Sequence, residues 1–427
     1  MELTSYWQAT APRFGGQHGE VSGHYDVAII GSGFTGLSAA RRLAKAGYKT
    51  VVLEAREVGH GASSRNGGHL NNGMAHGYGD AMTRLGKDGA RELYHAYDTS
   101  IDLIEQVIEE EQIDCDFRRS GKLKLASKPS HVDAMKAACA LIHEEADSDV
   151  IFLDQSDLTG EIQTPKAYAG MLYPKSAMMH MGRYIHGLAN AVARHGCEVF
   201  ENTPVQGLQR REGKWAVDTP SGMLFARDVI VATGAYSGQF APEPFHHFVR
   251  RIIPMEGFVV VTRPLTDSEI SATVPGNRTY VTTLNIANYF RLSPDHRLIF
   301  GGRASFSTKS TPNDDVKSAK VLSNVLAQMF PTLAGIEIDY CFGGLVDITK
   351  DRIPRAGQVN GLYYSMGYSG HGAQMSNLMG VVLANMILGE TRNPLGHLPW
   401  PAIPFYTGRP WFLPVVGTYF RLKDMLS

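Results

Sequence analysis

The first clear pattern along the chain is two short apolar blocks, Val27-Ala-Ile-Ile30 and Val51-Val-Leu53, separated by a glycine-rich turn and a helical stretch. Apolar blocks bounded by turn residues predict buried strands, here over 25–30 and 50–54, with a helix over 36–46 between them. Ala90, Leu93, Tyr97, Ile101, Ile104 and Ile108 then recur on one stripe, which predicts a long helix over 88–111. Lys122-Leu-Lys-Leu-Ala126 alternates and predicts a strand over 121–126. Helices over 131–146 and 182–195, strands over 169–174 and 197–200, successive short strands over 203–232 and a β-rich stretch over 252–306 follow. A helix over 314–330, strands near 337–346 and 361–365, and a last helix over roughly 372–388 complete the pattern. Residues 1–23 read as a polar, Gly-rich lead-in and 59–79 as a loop rich in Gly and Asn. Residues 393–427 form a Pro- and aromatic-rich tail, expected to pack on the domains, with contact to a membrane surface as the alternative.

The order of these signals predicts the domain organisation. Strand–helix–strand units of nucleotide-binding type occur at 25–54, resume at 197–234 and return at 361–372. One nucleotide domain built from 24–85, 177–251 and 340–392, interleaved with a substrate domain from 86–176 and 252–339, fits this order better than two domains in series. The expected fold class is α/β, and α+β over the whole chain. A length of 427 residues suffices for two such cores. The 41 Lys and Arg nearly cancel the 42 Asp and Glu, poor equipment for a phosphate backbone, so no nucleic-acid partner is expected. Cys115, Cys139, Cys197 and Cys341 form no CxxC and read as reduced, mostly buried thiols, with no metal role expected. Together with an N-terminus lacking a signal-peptide pattern, they suggest a cytoplasmic protein. The longest apolar stretch, Leu378–Leu388, has 11 residues and is too short to span a bilayer.

Four motifs carry chemistry. Gly31, Gly33 and Gly36 form GxGxxG between the first strand and its helix, and Glu54 follows Gly36 by 18 residues, at the end of the second strand. This is the arrangement that puts a pyrophosphate on a helix N-terminus and a carboxylate on an adenosine ribose. Gly59-His-Gly-Ala-Ser-Ser-Arg-Asn-Gly-Gly-His69 supplies consecutive backbone N–H groups and small side chains for a phosphate and a planar ring. Asp228-Val-Ile-Val-Ala-Thr-Gly234 is an apolar strand whose end can meet the adenine side of a cofactor. Met366-Gly-Tyr-Ser-Gly-His-Gly372 opens the last helix, where a helix N-terminus stabilises the negative charge of a reduced flavin. His371 reads either as a catalytic group or as a structural histidine of that turn.

Together these motifs resemble the FAD-dependent amine and amino-acid oxidoreductases of the D-amino-acid oxidase/sarcosine oxidase superfamily, over about residues 20–425. Within it, Gly61-Ala-Ser-x-Arg-Asn-Gly-Gly68, Ile113-Asp-Cys-Asp116, Tyr289-Phe-Arg-Leu292, Arg297-Leu-Ile-Phe-Gly-Gly302, Gly367-Tyr-Ser-Gly-His-Gly372 and the tail around Pro404-Phe and Gly408-Arg are most similar to γ-glutamylputrescine oxidoreductases. The resemblance implies a glutathione-reductase-like FAD-binding Rossmann domain, noncovalent FAD and oxidation of a C–N bond. It implies that Gly31, Gly33, Phe34, Thr35 and Gly36 line the pyrophosphate, with Glu54, Ala55 and Arg56 at the ribose. Ala62, Ser63, Arg65, Asn66, Gly67, Gly68, His69 and Leu70 would run past the pyrophosphate and ring. Val205, Thr233 and Gly234 would flank the adenine side, and Gly344, Ser369, Gly370, His371, Gly372 and Gln374 the flavin's pyrimidine edge.

Three positions depart from the family pattern. Sarcosine oxidases carry a carboxylate-holding lysine where Gln374 stands, and an oxygen-activating lysine where Ile299 stands. The γ-glutamylputrescine enzymes usually carry Gln where His69 stands. The expected reaction is hydride transfer from the α-carbon of a neutral amine to flavin N5, with hydrolysis of the resulting imine. His69, with an ordinary pKa near 6.5, is a candidate to assist deprotonation, and Tyr289, Arg291, Arg303 and Tyr368 are candidates for the substrate wall. The substrate reading is a γ-glutamylputrescine-like amine. The alternative is a secondary or cyclic amino acid such as L-pipecolate, with Arg303 holding its carboxylate. The electron acceptor is O2 or a quinone-type compound. An RNA-modifying flavoprotein and a non-turnover flavin sensor are further readings, the first opposed by the near-neutral charge.

Overall fold

A computed structural model of the chain describes residues 1–238, 245–305, 312–390 and 393–426. The first apolar block forms the strand His24–Ile30, central in a sheet ordered Arg355–Val359, Leu362–Met366, Gly222–Val231, His24–Ile30, Thr50–Leu53, Glu198–Phe200. From Leu362–Met366 to Glu198–Phe200 every neighbouring pair is parallel. Parallel strands are covered on both faces, which is why they read as unbroken apolar runs. The chain passes to one side of His24–Ile30 and returns on the other, so a crevice opens at that strand's carboxyl end. The strands Gly207–Arg211 and Lys214–Thr219 extend this sheet as an antiparallel meander onto Gly222–Val231.

The helices Phe34–Lys45 and Gly372–Leu388 cross in near contact. A Cβ on Gly380 would lie 2.4 Å from the Thr35 carbonyl. The Asn377 side-chain oxygen accepts from Ser38 and from Tyr184, each at 2.9 Å.

The second sheet is ordered Ile338–Ile348, Ile253–Pro264, Arg297–Ser305, Tyr289–Leu292, Thr279–Thr282, Lys122–Leu125, Ala169–Tyr173, Ile151–Asp154. Alternation divides its faces. Leu123, Leu125, Phe258, Val260, Phe290, Phe300 and Cys341 pack with Leu322 and Leu326 of the helix Pro312–Met329. Val259, Val261, Ile299 and Phe342 point the other way and join the core of the nucleotide-side layer. Ile338–Ile348 pairs with Ile253–Pro264 from end to end. The domain boundary expected at 340 therefore falls inside this sheet, and the substrate side extends through residue 348.

Other expectations are adjusted. The helix expected over 88–111 is Tyr78–Glu111, interrupted at Gly86, whose φ of 73° is not helical. The lead-in is structural: Tyr6 and Trp7 of the short helix Tyr6–Ala9 are buried, and Trp7 Nε1 donates to the Asn66 carbonyl at 2.7 Å. The tail carries a helix, Leu413–Leu426. Tyr406 is buried and its hydroxyl donates to the Ile252 carbonyl at 2.8 Å, while the Asp424 carboxylate accepts from Asn285 and Ile286. Trp411, Val415, Tyr419 and Leu422 are exposed along this segment. Among the described residues no helix is long and apolar enough to cross a membrane. All four cysteines are free and buried.

Candidate active site

At the crevice, Gly31 has φ of 102°, a backbone that glycine adopts without strain. A Cβ on Gly36 would lie 2.0 Å from the Gly31 carbonyl, so only glycine lets the helix Phe34–Lys45 start this close to the strand. The missing Cβ of Gly33 faces Ser63 Oγ at 3.2 Å, and the Phe34 N–H donates to that hydroxyl at 3.1 Å. Glu54 accepts from Ser32 N and Ser32 Oγ on one oxygen (2.9 and 2.7 Å) and from Arg56 N on the other (3.0 Å). Its carboxylate is thus fixed at the mouth of the crevice, with Ala55 and Arg56 as the turn that follows. Thr203 N donates to the Glu54 carbonyl, which brings the approach to Val205 alongside. Thr233 and Gly234 end the neighbouring strand, Gly222–Val231, and Thr233 Oγ1 lies 2.7 Å from Ser237 Oγ.

The loop after Glu54 is closed by its own polar groups. Ala62–Ser64 forms one helical turn. Asn66 Nδ2 donates to the Ala62 and Ser63 carbonyls, and its Oδ1 accepts from Gly68 N at 2.8 Å. Arg65 Nη1 donates to the Gly343 carbonyl at 3.1 Å, and a Cβ on Gly344 would lie 2.5 Å from the Arg65 carbonyl. This contact joins the loop to the second sheet. His69–Leu70 pairs with Ala177–Met178.

On Tyr289–Leu292, Phe290 enters the substrate-side core, so Tyr289 and Arg291 face the loop. The Tyr289 ring stands edge-on to His69, with centroids 5.6 Å apart, and a Cβ on Gly67 would touch it at 2.7 Å. His69 Nε2 lies 3.3 Å from the Phe290 carbonyl. Burial, aided by the Arg291 charge, pushes the His69 pKa down to about 3. The ring is therefore neutral and weakly basic, not the group titrating near neutrality expected from sequence. Arg291 is 1% exposed, and its Nη1 donates to the Gly68 carbonyl at 3.0 Å. Burial lowers its pKa to about 9. Arg303 sits on the strand Arg297–Ser305 opposite Phe258, but its side chain lies outside the described residues.

The Ser369–Gly372 turn is held from below. Asp347 Oδ2 accepts from Gly367 N at 2.6 Å, and burial raises the Asp347 pKa to about 6. Ser369 and Gly370 both have positive φ. His371 stands at the N-cap position of the helix Gly372–Leu388 without a side-chain capping bond, its ring edge-on to Tyr97, and burial pushes its pKa to about 3. The Tyr368 hydroxyl lies 2.7 Å from Thr35 Oγ1 and 2.8 Å from Ser365 Oγ. It clamps the two helix starts together, the structural alternative to a place in a substrate wall. Gln374 is buried and donates to the Asn71 carbonyl at 2.6 Å.

Reasoning from sequence overlooked Asp347, Trp7 and the lysines of Lys122–Leu125. Lys122 is buried, donates to the Asn72 carbonyl at 2.6 Å and lies 3.8 Å from the Tyr173 ring centroid. Its strict alternation with leucine was the available signal. Cys341 points into the substrate-side core, and burial pushes its thiol to about 12, away from any reactive role.

The residues fit FAD. The Gly31–Gly36 cradle leaves no room for a Cβ at Gly36, and Glu54 stands fixed at the crevice mouth. Arg291 Nε and His371 Nδ1 are buried without a hydrogen-bond partner among the described residues. The comparisons agree: the family model described as "FAD dependent oxidoreductase" (DAO) matches residues 26–386. The "Probable oxidoreductase OrdL" of Haemophilus influenzae is 34% identical over 376 residues, 86% of this chain and 84% of that protein. The gamma-glutamylputrescine oxidoreductase of Escherichia coli is 31% identical over 413 residues, 94% and 93% of the two chains. The glycine oxidase structure from Geobacillus kaustophilus superposes with a TM-score of 0.72 at 21% identity, over 89% of this chain and 99% of that one.

Proposed function

The chain belongs to the DAO family of FAD-dependent oxidoreductases, and on that premise we propose that it oxidises the C–N bond of an amine resembling γ-glutamylputrescine. FAD, when bound, supplies the hydride acceptor. Similarity along nearly the whole length of the E. coli enzyme supports this substrate type. The observation that carries the reading is the neutral, partly buried wall that Tyr289 and His69 present beside the Asn66–Gly68 loop.

The chain's own residues do three things in this reading. Burial that keeps His69 neutral and weakens Arg291's hold on its proton acts equally on an ammonium placed beside them, and the Arg291 charge adds repulsion. The wall therefore favours the deprotonated amine without a dedicated base. Tyr289, whose hydroxyl burial raises to about 12, stays neutral and can orient the amine by a hydrogen bond. Asp347 and Tyr368 position the Ser369–Gly372 turn and the start of Gly372–Leu388, whose N-terminus stabilises negative charge at its mouth. Ile299, apolar and buried on the same face, provides no cation for oxygen activation, which favours a dye or quinone over O2 as acceptor.

The test is product analysis with an artificial electron acceptor. γ-Glutamylputrescine is expected to yield an aldehyde and ammonia. Turnover of L-pipecolate with none of γ-glutamylputrescine would overturn this reading in favour of a cyclic amino acid.

A further inference from the structure

Two lysines of Lys122–Leu125 are not accounted for by the FAD and Tyr289 groups. Leu123 and Leu125 enter the substrate-side core, so Lys122 and Lys124 lie on the opposite face, beside Tyr173 and Met171 of the neighbouring strand. Lys122 is held by the Asn72 carbonyl and the Tyr173 ring. Lys124 is half-buried and, among the described residues, makes no ion pair and no hydrogen bond. Burial lowers its pKa, and Lys122 and Lys124 repel one another. An unpaired cation in such a place calls for an anion from outside the chain.

Two adjoining carbonyls locate the recess. Lys122 donates to Asn72 and Gln374 to Asn71, each at 2.6 Å. The lysine strand and the first turn of Gly372–Leu388 therefore flank the same two residues. Lys122 and Lys124 both act on His371, opposing its protonation. Asp98 acts on Lys122 but pairs with His95 and Lys175. His371 Nδ1 and both His76 ring nitrogens are buried without partners among the described residues. Across the sheet, Lys124 stands opposite Val281, and Val281 opposite Tyr289. Two strand spacings, about 10 Å, thus separate the unpaired lysine from the Tyr289 wall.

We propose that this recess is an anion subsite in which Lys124 anchors a carboxylate of the substrate, at the end of the molecule away from Tyr289. The inference rests on the amine-oxidation reading for the identity of the other end, not for the anion itself. A carboxylate there neutralises Lys124 and accepts from an imidazole N–H. Gln374 carries no charge, and one of its two amide N–H groups is already bound to the Asn71 carbonyl. Lys124 therefore offers, from a strand of the substrate side, the positive charge that Gln374 lacks.

The experiment titrates flavin-loaded protein with sodium benzoate and sodium acetate, followed by the change in the flavin visible spectrum. Wild-type protein is expected to bind at least one of them, Lys124→Met to bind it at least about tenfold more weakly, and Lys124→Arg to stay within about threefold of wild type. Benzamide and acetamide binding should not distinguish the three proteins. Equal affinity in Lys124→Met, or no carboxylate binding by wild type, overturns the proposal. In rapid-mixing reduction, Lys124→Met should raise the apparent Kd for acid-bearing amines and spare their neutral amides, with the limiting rate unchanged. If no amine reduces the flavin, the oxidation reading fails while the benzoate and acetate titrations still decide the subsite.

Discussion

Replacing Lys122 by Met tests whether a charge is really held in the interior of the substrate side. The side chain is 6% exposed and, among the described residues, has no carboxylate partner; its Nζ meets the Asn72 carbonyl and the Tyr173 ring. Burial, with Lys124 adding repulsion, lowers its pKa from 10.5 to about 7. That shift corresponds to a cost on the order of 5 kcal/mol for keeping the ammonium protonated in the folded state. The sign follows from proton counts. Between the two pKa values the unfolded chain holds a proton that the folded protein has released, so this contribution makes stability rise with pH through the window. Below pH 7 the full cost is present. Methionine keeps the length and apolar stem without the charge. The stability gained by Lys122→Met over wild type should therefore be largest near neutrality and shrink by about 1.4 kcal/mol per pH unit toward pH 10. Urea unfolding of both flavin-loaded proteins across that range measures the difference, and effects common to both cancel. Parallel pH profiles would refute the reasoning.

Three further outcomes follow from the site. Gly36→Val places a side chain on a Cβ that would stand 2.0 Å from the Gly31 carbonyl; the purified protein should lack the visible flavin band while keeping most of its far-UV circular dichroism. His69→Gln should leave the pH dependence of flavin reduction unchanged between about pH 5 and 9, because a ring with a pKa near 3 is already neutral there; loss of a step near 6.5 would contradict this. Tyr368→Phe removes a hydroxyl shared by Thr35 and Ser365 and should cost about 1–3 kcal/mol in thermal or urea unfolding. If Tyr368 instead lines the substrate, the same variant would change the apparent Kd for amine with little change in stability.

The nucleotide side was legible because its determinants are local. The Gly31–Gly36 turn, the helix after it and Glu54 lie within one strand–helix–strand unit, and parallel strands advertise themselves as apolar blocks. The substrate side was less so. Lys122 and Lys124 alternate with leucine as residues on a solvent-facing strand do, yet Tyr173 and Met171 and the helices packed on them adjoin that face, a fact carried by distant segments. Trp7 sits in a polar lead-in, and its burial depends on the Asn66 carbonyl far along the chain. The tail helix Leu413–Leu426 was masked by Pro414 and Gly417, although proline in a first helical turn is well tolerated. Around the expected boundary near 340, Phe342-Gly-Gly344 serves both layers: its strand pairs within the second sheet, while Gly344 touches the loop at Arg65. Arg303 stays a proposal resting on sequence, as its side chain lies outside the described residues.

The central claim is that this chain binds FAD and uses it to oxidise a C–N bond. The most direct measurement is the visible spectrum of the purified protein, mixed without air with γ-glutamylputrescine and a panel of amines and imino acids, then exposed to air. The expected result is a flavin band that an amine bleaches and that air restores slowly, since the buried, apolar Ile299 supplies no cation to activate oxygen. A flavin band that no member of the panel bleaches would contradict the assigned chemistry, and the absence of flavin from the folded protein would contradict the site itself.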